Sequence, residues 1–431
     1  MTMTMTMAQW WLLPVLLLCA GLFPLFPAVG QGKVIDVEHA DSLVGRTVDG
    51  QQVRELIGSV RFSQERVRVS CDRALQYLQT GRVELAGNVV VRDDSVILMA
   101  PRGVYHRDTR RAEAFDEVEL NDGQIRVVAR YGQYFIDPKI AAFRSEVMVR
   151  DASSTLTADS LTYFRTERRS VAVGNVSVEN ASDDVTIRGG RFENTVAPAY
   201  SKMTLHPVLV QFQAGNLGKI ETLVVRSRLM ESFRDSVRRM VASDSVEITR
   251  GFLSGVAGRA VFFTEGDSIH LRAAPIVWYG ASQIAGDSIN VYLELRRLRR
   301  VAVLGNTMAI SRTDPRKPER FDQLTGETMQ LLFADQELQQ IEVDVQATSI
   351  YHLYDDTTAN GLNKTSGDRL VLSFRGRKMD AIAVTGGVEG TYVPENLLEG
   401  HESDYALPGF TWIEDRPRPR PDDFRHTGER K

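Results

Sequence analysis

The sequence predicts an all-β protein built from stacked repeats. Three observations carry that prediction. A valine recurs every 29 residues in the first half of the chain, at Val89, Val118, Val147 and Val176. Around each valine, aliphatic residues alternate with polar ones, as at Val89/Val91, Val118/Leu120, Val147/Val149 and Val176/Val178. That is the period-two pattern of a strand with one face in and one face out. Polar turn clusters then follow at fixed offsets.

The chain opens on an uncharged stretch. Trp10 to Leu25 is apolar, is broken by Pro14 and Pro24, and is followed by Pro27 and Ala28-Val29-Gly30. An apolar core before a small-x-small site has the form of a secretory signal, here residues 1–30, although its leading segment lacks Lys and Arg. An uncleaved anchor is the alternative, disfavoured by shortness and prolines. Cys19 follows Leu18 rather than a small residue, so a lipidation site is not expected. Without the signal the chain keeps one thiol, Cys71, expected to pack as a small hydrophobe.

Residues 31–75 read as a lead-in with one or two capping strands. The first array spans 76–195. Its units begin at Gly87-Asn88-Val89, Asp116-Glu117-Val118, Ser145-Glu146-Val147 and Gly174-Asn175-Val176. Leu98, Val127, Leu156 and Val185 lie nine residues after these valines, and Tyr105, Tyr134 and Tyr163 recur in the same register. Turns fall at Arg92-Asp93-Asp94-Ser95, Asn121-Asp122-Gly123 and Asp151-Ala152-Ser153-Ser154, and again at Arg107–Arg110, Asp137-Pro138-Lys139 and Arg165–Arg168. One unit cannot bury its own apolar face, whereas a stack can.

Residues 196–222 read as an irregular connector. A second array, 223–395, repeats the pattern more loosely. Val301-Ala302-Val303-Leu304-Gly305-Asn306 echoes Val171-Ala172-Val173-Gly174-Asn175. Ala158-Asp159-Ser160-Leu161 returns as Gly286-Asp287-Ser288-Ile289 and Gly367-Asp368-Arg369-Leu370. Spacings nearer 40 there point to longer loops. Leu229 to Val241 has a helix-like pattern, yet repeat context favours strand–turn–strand, because propensity is a weak prior. Residues 396–431, ending in the proline- and charge-rich Glu414–Lys431, read as a disordered tail.

The formal net charge is −4 with both signs interspersed, which argues against a nucleic-acid surface. No two of the seven histidines have metal-ligand spacing. There is no G-x-S-x-G elbow. Gly386-Gly387-Val388-Glu389-Gly390 lacks the lysine of a phosphate loop. Asp93-Asp94, Asp183-Asp184, Asp355-Asp356 and Asp422-Asp423 fall in turn-like or tail contexts, where aspartates are ordinary. The sequence therefore predicts a non-enzymatic protein with no cofactor and no metal. A β-solenoid enzyme acting on polysaccharide would need a carboxylate cluster on consecutive rungs, and none can be placed.

The repeated GNV–Ala–Tyr unit resembles the OstA-like repeat of the LptA, LptC and LptD periplasmic family, in particular longer multi-repeat members. The match is clearest over about 80–195 and weaker over 223–395. The resemblance implies an elongated, folded-over β-jelly roll, a V-shaped "taco" open along one side. It implies a periplasmic, exported protein, free or associated with the outer or inner membrane, that binds lipopolysaccharide acyl chains. The trough would be lined by Val89, Val91, Leu98, Val118, Leu120, Val127, Val147, Val149, Leu156, Val176, Val178 and Val185. Other envelope proteins of the same fold would be partners through exposed strand edges. With no room for an outer-membrane barrel after residue 395, a bridge or accessory role is expected. A non-enzymatic envelope scaffold working through protein contacts is the alternative.

Overall fold

The computed structural model describes residues 35–180, 184–214, 220–294, 297–314, 316–335, 337–356, 358–376 and 378–424. The expected signal, residues 1–30, and the last seven residues lie outside them. Among the described residues, 28 strands form one sheet, and every pairing is antiparallel. The two arrays are therefore continuous in space.

In the first half the strands form a meander of near-equal rungs: Arg82–Asp93, Val96–His106, Arg111–Asn121, Arg126–Phe135, Ile140–Arg150, Ser154–Phe164 and Arg169–Asn180. The sheet folds over because these rungs are bent midway. Pairing register slips between Ala86 and Val89, between Phe115 and Val118, and between Val173 and Val176. At two of these slips the residues before the valine have positive φ: Gly87 and Asn88 (74° and 45°), and Gly174 and Asn175 (82° and 44°). A two-residue bulge of this kind bends a strand sharply. Glycine leads it because a side chain on Gly87 would strike the carboxylate of Asp72.

Each bend is tied to the adjacent strand. Asn88 donates to Asp72 and Asn175 to Asp159, both at 2.9 Å, and Asn306 donates to Asp287 at 3.1 Å. Where the bulge is acidic, the partner is an arginine: Arg102 pairs with Asp116 at 2.8 Å and Arg130 with Glu146 at 3.0 Å. The recurring Ala-Asp-Ser and Gly-Asp-Ser phrases are thus the second half of the corner.

The arrays differ from expectation in four places. The lead-in is already part of the stack. Gly58 and Ser59 have positive φ, and Val60, 29 residues before Val89, is fully buried. Strands Gln51–Gln64 and Val67–Tyr77 pair directly with each other, and Val67–Tyr77 pairs with Arg82–Asp93. Serine in place of asparagine hid this unit.

The connector is not irregular. It contains strands Tyr200–Thr204, Val208–Ala214 and Ile220–Arg226. The first two pair with one strand, Val185–Thr195, on either side of a corner at Leu205 and His206 (φ 61° and 60°). Pro207 follows this corner, and Pro275 follows another at Ala273-Ala274, 29 residues after Val246. Proline has no N–H for the ladder, so the bent strand splits in two and the motif escapes recognition.

The longer spacings of the second array come from longer strands rather than longer loops. Glu337–Asp355 has 19 residues and Thr358–Arg375 has 18. Leu229–Val241 is strand–turn–strand as expected, with strands Leu229–Phe233 and Arg239–Arg250.

The fourth difference is the tail. Residues up to Phe424 are an ordered strap across the outside of the sheet. After the helical turn Glu395–Leu398, Leu398 and Leu407 are buried against Ile310, Ile350 and Leu362. Phe410 and Trp412 pack on Phe321, with ring centres 5.4 and 5.1 Å apart. The strap then runs back toward earlier strands. Ile413 N–H donates to Gln283, Arg416 donates to the Gly280 carbonyl, Arg420 pairs with Glu247 and Asp423 with Arg226. Pro417, Pro419 and Pro421 keep it extended and unable to join as a strand. Its charges, which suggested disorder, find counter-ions on the sheet.

Inside the fold, one apolar cluster runs from Leu56 to Leu370. The folded-over, elongated jelly roll implied by the repeat is the observed architecture.

Candidate functional site

The interior between the two arms of the bent sheet is the candidate site. Period two sends every second side chain of a rung inward. Of the twelve residues expected to line it, Val89, Val91, Leu98, Val118, Leu120, Val127, Val147, Leu156 and Val176 are at most 8% exposed. Val149, Val178 and Val185 are half-buried and pack against the same cluster.

The first array is closed at its mouth. Each arm ends in a row of turns, and side chains bridge the two rows. Tyr134 donates to Asp93 at 2.7 Å and Tyr163 to Asp122 at 3.0 Å; Tyr105 bonds Gln64. Arg110 pairs with Glu65 at 2.6 Å, Arg165 donates to Ser95 at 2.9 Å and Arg168 to Gln124 at 2.9 Å. The partners lie 41 to 70 residues apart in sequence, so these bonds join opposite rims. The recurring tyrosines are therefore rim stitches as well as core residues.

Asp93 is more than a turn aspartate. It is fully buried, receiving Arg66 at 2.7 Å as well as Tyr134. A buried carboxylate needs such partners. Burial, and then the adjacent Asp93 carboxylate, push the Tyr134 hydroxyl well above its ordinary pKa. Burial raises Tyr105 and Tyr163 to about 12.

Cys71 behaves as expected. It is buried, donates to the Arg73 carbonyl at 3.2 Å and is pushed up by burial to about 11. Such a thiol is a poor nucleophile at neutral pH. Among the described residues, no group of three or more His, Cys, Asp or Glu is placed to hold a metal. No helix there is long and apolar enough to cross a membrane.

The strands at the N-terminal end of the sheet leave apolar groups uncovered. Among the described residues Ser42–Val48 pairs with only one neighbour, and Leu43 and Val44 are 57% and 45% exposed.

Comparison with known proteins bears on the first array. Residues 80–205 match the family described as OstA-like protein. Over that stretch the chain is similar to the OstA-like family. The match covers under a third of the chain, takes in the most regular rungs and stops at Leu205, the first residue of the corner before Pro207. Among solved structures, the chain is similar to LptH from Pseudomonas aeruginosa. That protein is described as the LptA-homologous periplasmic component of the conserved lipopolysaccharide transport device. The identity is 14%, covering 33% of this chain and 95% of that one, with a TM-score of 0.26. No curated protein matches. The rungs upstream and downstream of the OstA-like stretch share its corners and its interior, and extend one sheet in both directions.

Proposed function

We propose that this chain is a periplasmic protein of envelope biogenesis, a bridge or accessory component of lipopolysaccharide transport that shelters acyl chains between the arms of its sheet. The observation that carries this reading is the unbroken apolar interior from Leu56 to Leu370 in a sheet whose first array contains an OstA-like stretch. Moving acyl chains from water into such an interior is favourable by roughly 25 cal/mol per Å² of apolar surface. The exposed edge strand Ser42–Val48 suits pairing with another sheet of the same fold. To test this, the protein is purified from an envelope fraction and its bound lipids are extracted for mass spectrometry. Stoichiometric lipopolysaccharide is expected; a lipid-free protein that also takes up none on incubation would refute the reading.

The filled first array favours a second reading, a non-enzymatic scaffold that uses the sheet edges for protein contacts. It predicts recovery of envelope proteins in pull-downs, abolished by Leu43→Asp with Val44→Asp, and no lipid in the extract.

A further inference from the structure

We infer that the part of the interior open to a lipid lies in the second array, between Met240 and Ala309, and that the first array is a closed, filled spacer. This rests on the lipid-handling reading and assigns where on the chain it acts.

The inward positions nearest one rim form a continuous ladder through the sheet. In the first array it runs Tyr105, Ala112, Tyr134, Ala141, each paired to the next across strands and each at most 2% exposed. Toward the end of that array Tyr163, still stitched to Asp122, and Val149, Val178 and Val185 are half-buried. In the second array the same ladder runs Met240, Phe262, Ile269, Val291, Val301, and every one of these is half-buried. On the opposite arm Val277, Ile284 and Ala309 pair in series and are half-buried too. Inward apolar side chains that keep contact with water mark a place where the arms stand apart.

The rims agree. In the first array the rim arginines are spent on crossing the mouth: the Arg110 and Arg165 side chains are only 4% and 17% exposed. In the second array Arg238 and Arg299 are 67% and 61% exposed. Arg238 reaches Glu265 and Arg299 reaches Glu294, on their own rim, at 3.6 Å, and Arg299 also donates to the Phe333 carbonyl at 3.4 Å. Between the arrays the ladder turns polar at Ser170, Asn194, Ser201 and Ser232, with Arg234 bonded to Asn194 and Ser201. The apolar path along this rim is interrupted there, while the deeper core continues through Val176, Met203, Met230 and Ala242.

The strap supplies the missing support. Two arms that pack on each other stabilise the first array. In the second array one arm gains a separate core on its outer side, from Leu398, Leu407, Phe410 and Trp412, and so does not depend on the facing arm. An apolar slot bordered by exposed, loosely paired arginines suits one occupant: a lipid with an anionic head group. Its chains lie against Phe262, Ile269 and Val291, and its anionic head group meets the exposed rim arginines, Arg238 at one end of the ladder and Arg299 at the other.

Two measurements on the full-length protein test this. First, Cys19→Ser and Cys71→Ala remove the native thiols, and Ile269→Cys or Leu120→Cys is added. N-ethylmaleimide is expected to modify Ile269→Cys at least about tenfold faster than the buried Leu120→Cys. Equal rates would overturn the open-and-closed division whatever the ligand. Second, a photo-crosslinking amino acid is placed in cells at Phe262, Ile269 and Val291, and at Leu98, Leu120 and Val127. Lipopolysaccharide adducts at the first three only, cut several-fold by Arg238→Glu with Arg299→Glu, are the expected result. Adducts at the second three, equal or greater, would overturn the assignment and leave the lipid reading standing. No adduct at any position, with Ile269→Cys reactive, would remove lipid as the occupant and the proposed function with it.

Discussion

At the scale of single residues, the tyrosines at the mouth are the most informative. Tyr134→Phe removes the donor to Asp93 and leaves a buried carboxylate with Arg66 and the more distant Arg165. We expect a loss of about 1–3 kcal/mol in urea unfolding, the cost of an unmade buried bond. The same residues predict alkaline sensitivity. Tyr105 and Tyr163 ionise near 12 in the fold against 10 in an ordinary environment. Their protonated forms are thus the folded ones. Below pH 10 neither state ionises and stability is unaffected. As pH rises from 10 toward 12 the unfolded chain loses its protons first, so stability falls. The melting temperature is expected to drop over this window, and to drop less in Tyr105→Phe with Tyr163→Phe.

At the scale of an element, the corner is the recurring device. It uses either an amide bulge with an aspartate partner or an acidic bulge with an arginine partner. Asp72→Arg should therefore destabilise the corner at Asn88, and Asn88→Glu added to it should restore most of the loss, reproducing the Arg130–Glu146 arrangement. A double-mutant cycle by thermal unfolding measures this, with a coupling of about 0.5–3 kcal/mol expected. The strap is the other element with a testable end. Asp423 holds Arg226 and is almost fully buried. Asp423→Asn should loosen the strap, and a glutamate-specific protease should then cut after Glu414 faster, as read on a gel. Truncation after Glu399 should expose Ile310, Ile350 and Trp278 and increase the binding of an apolar dye.

At the scale of the whole molecule, the two arrays should respond differently to the same change. Leu120→Ala in the filled first array is expected to cost about 2–5 kcal/mol, the transfer term plus an unfilled cavity. Ile269→Ala, which already meets water, should cost less than half as much. If chemical denaturation finds the two costs equal, the second array is as tightly packed as the first. The contrast also explains why the candidate site was only partly legible. All twelve residues named from the period belong to the interior or its edge, yet the half-buried ladder from Met240 to Val301 was not among them. Pattern identifies which side chains point inward. It does not report how far apart two inward-facing walls stand.

The local chemistry determined a great deal. Period two, the polar turns and the 29-residue repeat were enough to predict a stacked, all-β sheet, because strand geometry and unburied apolar faces admit few other solutions, and the resemblance to OstA-like repeats implied the fold-over. The corner was half visible, as Gly-Asn-Val and as Ala-Asp-Ser. That these phrases are one device required the strands to be side by side. Where serine or proline stood in the motif, at Ser59, Pro207 and Pro275, the backbone kept the bend while the letters changed. Only the tertiary structure decided the strap, the stitched mouth and the half-buried ladder of the second array. Each depends on groups far apart in sequence, such as Arg226 with Asp423 or Asp93 with Tyr134. A charged, proline-rich segment reads as solvated until a surface of matching charge and apolar shape is placed beneath it.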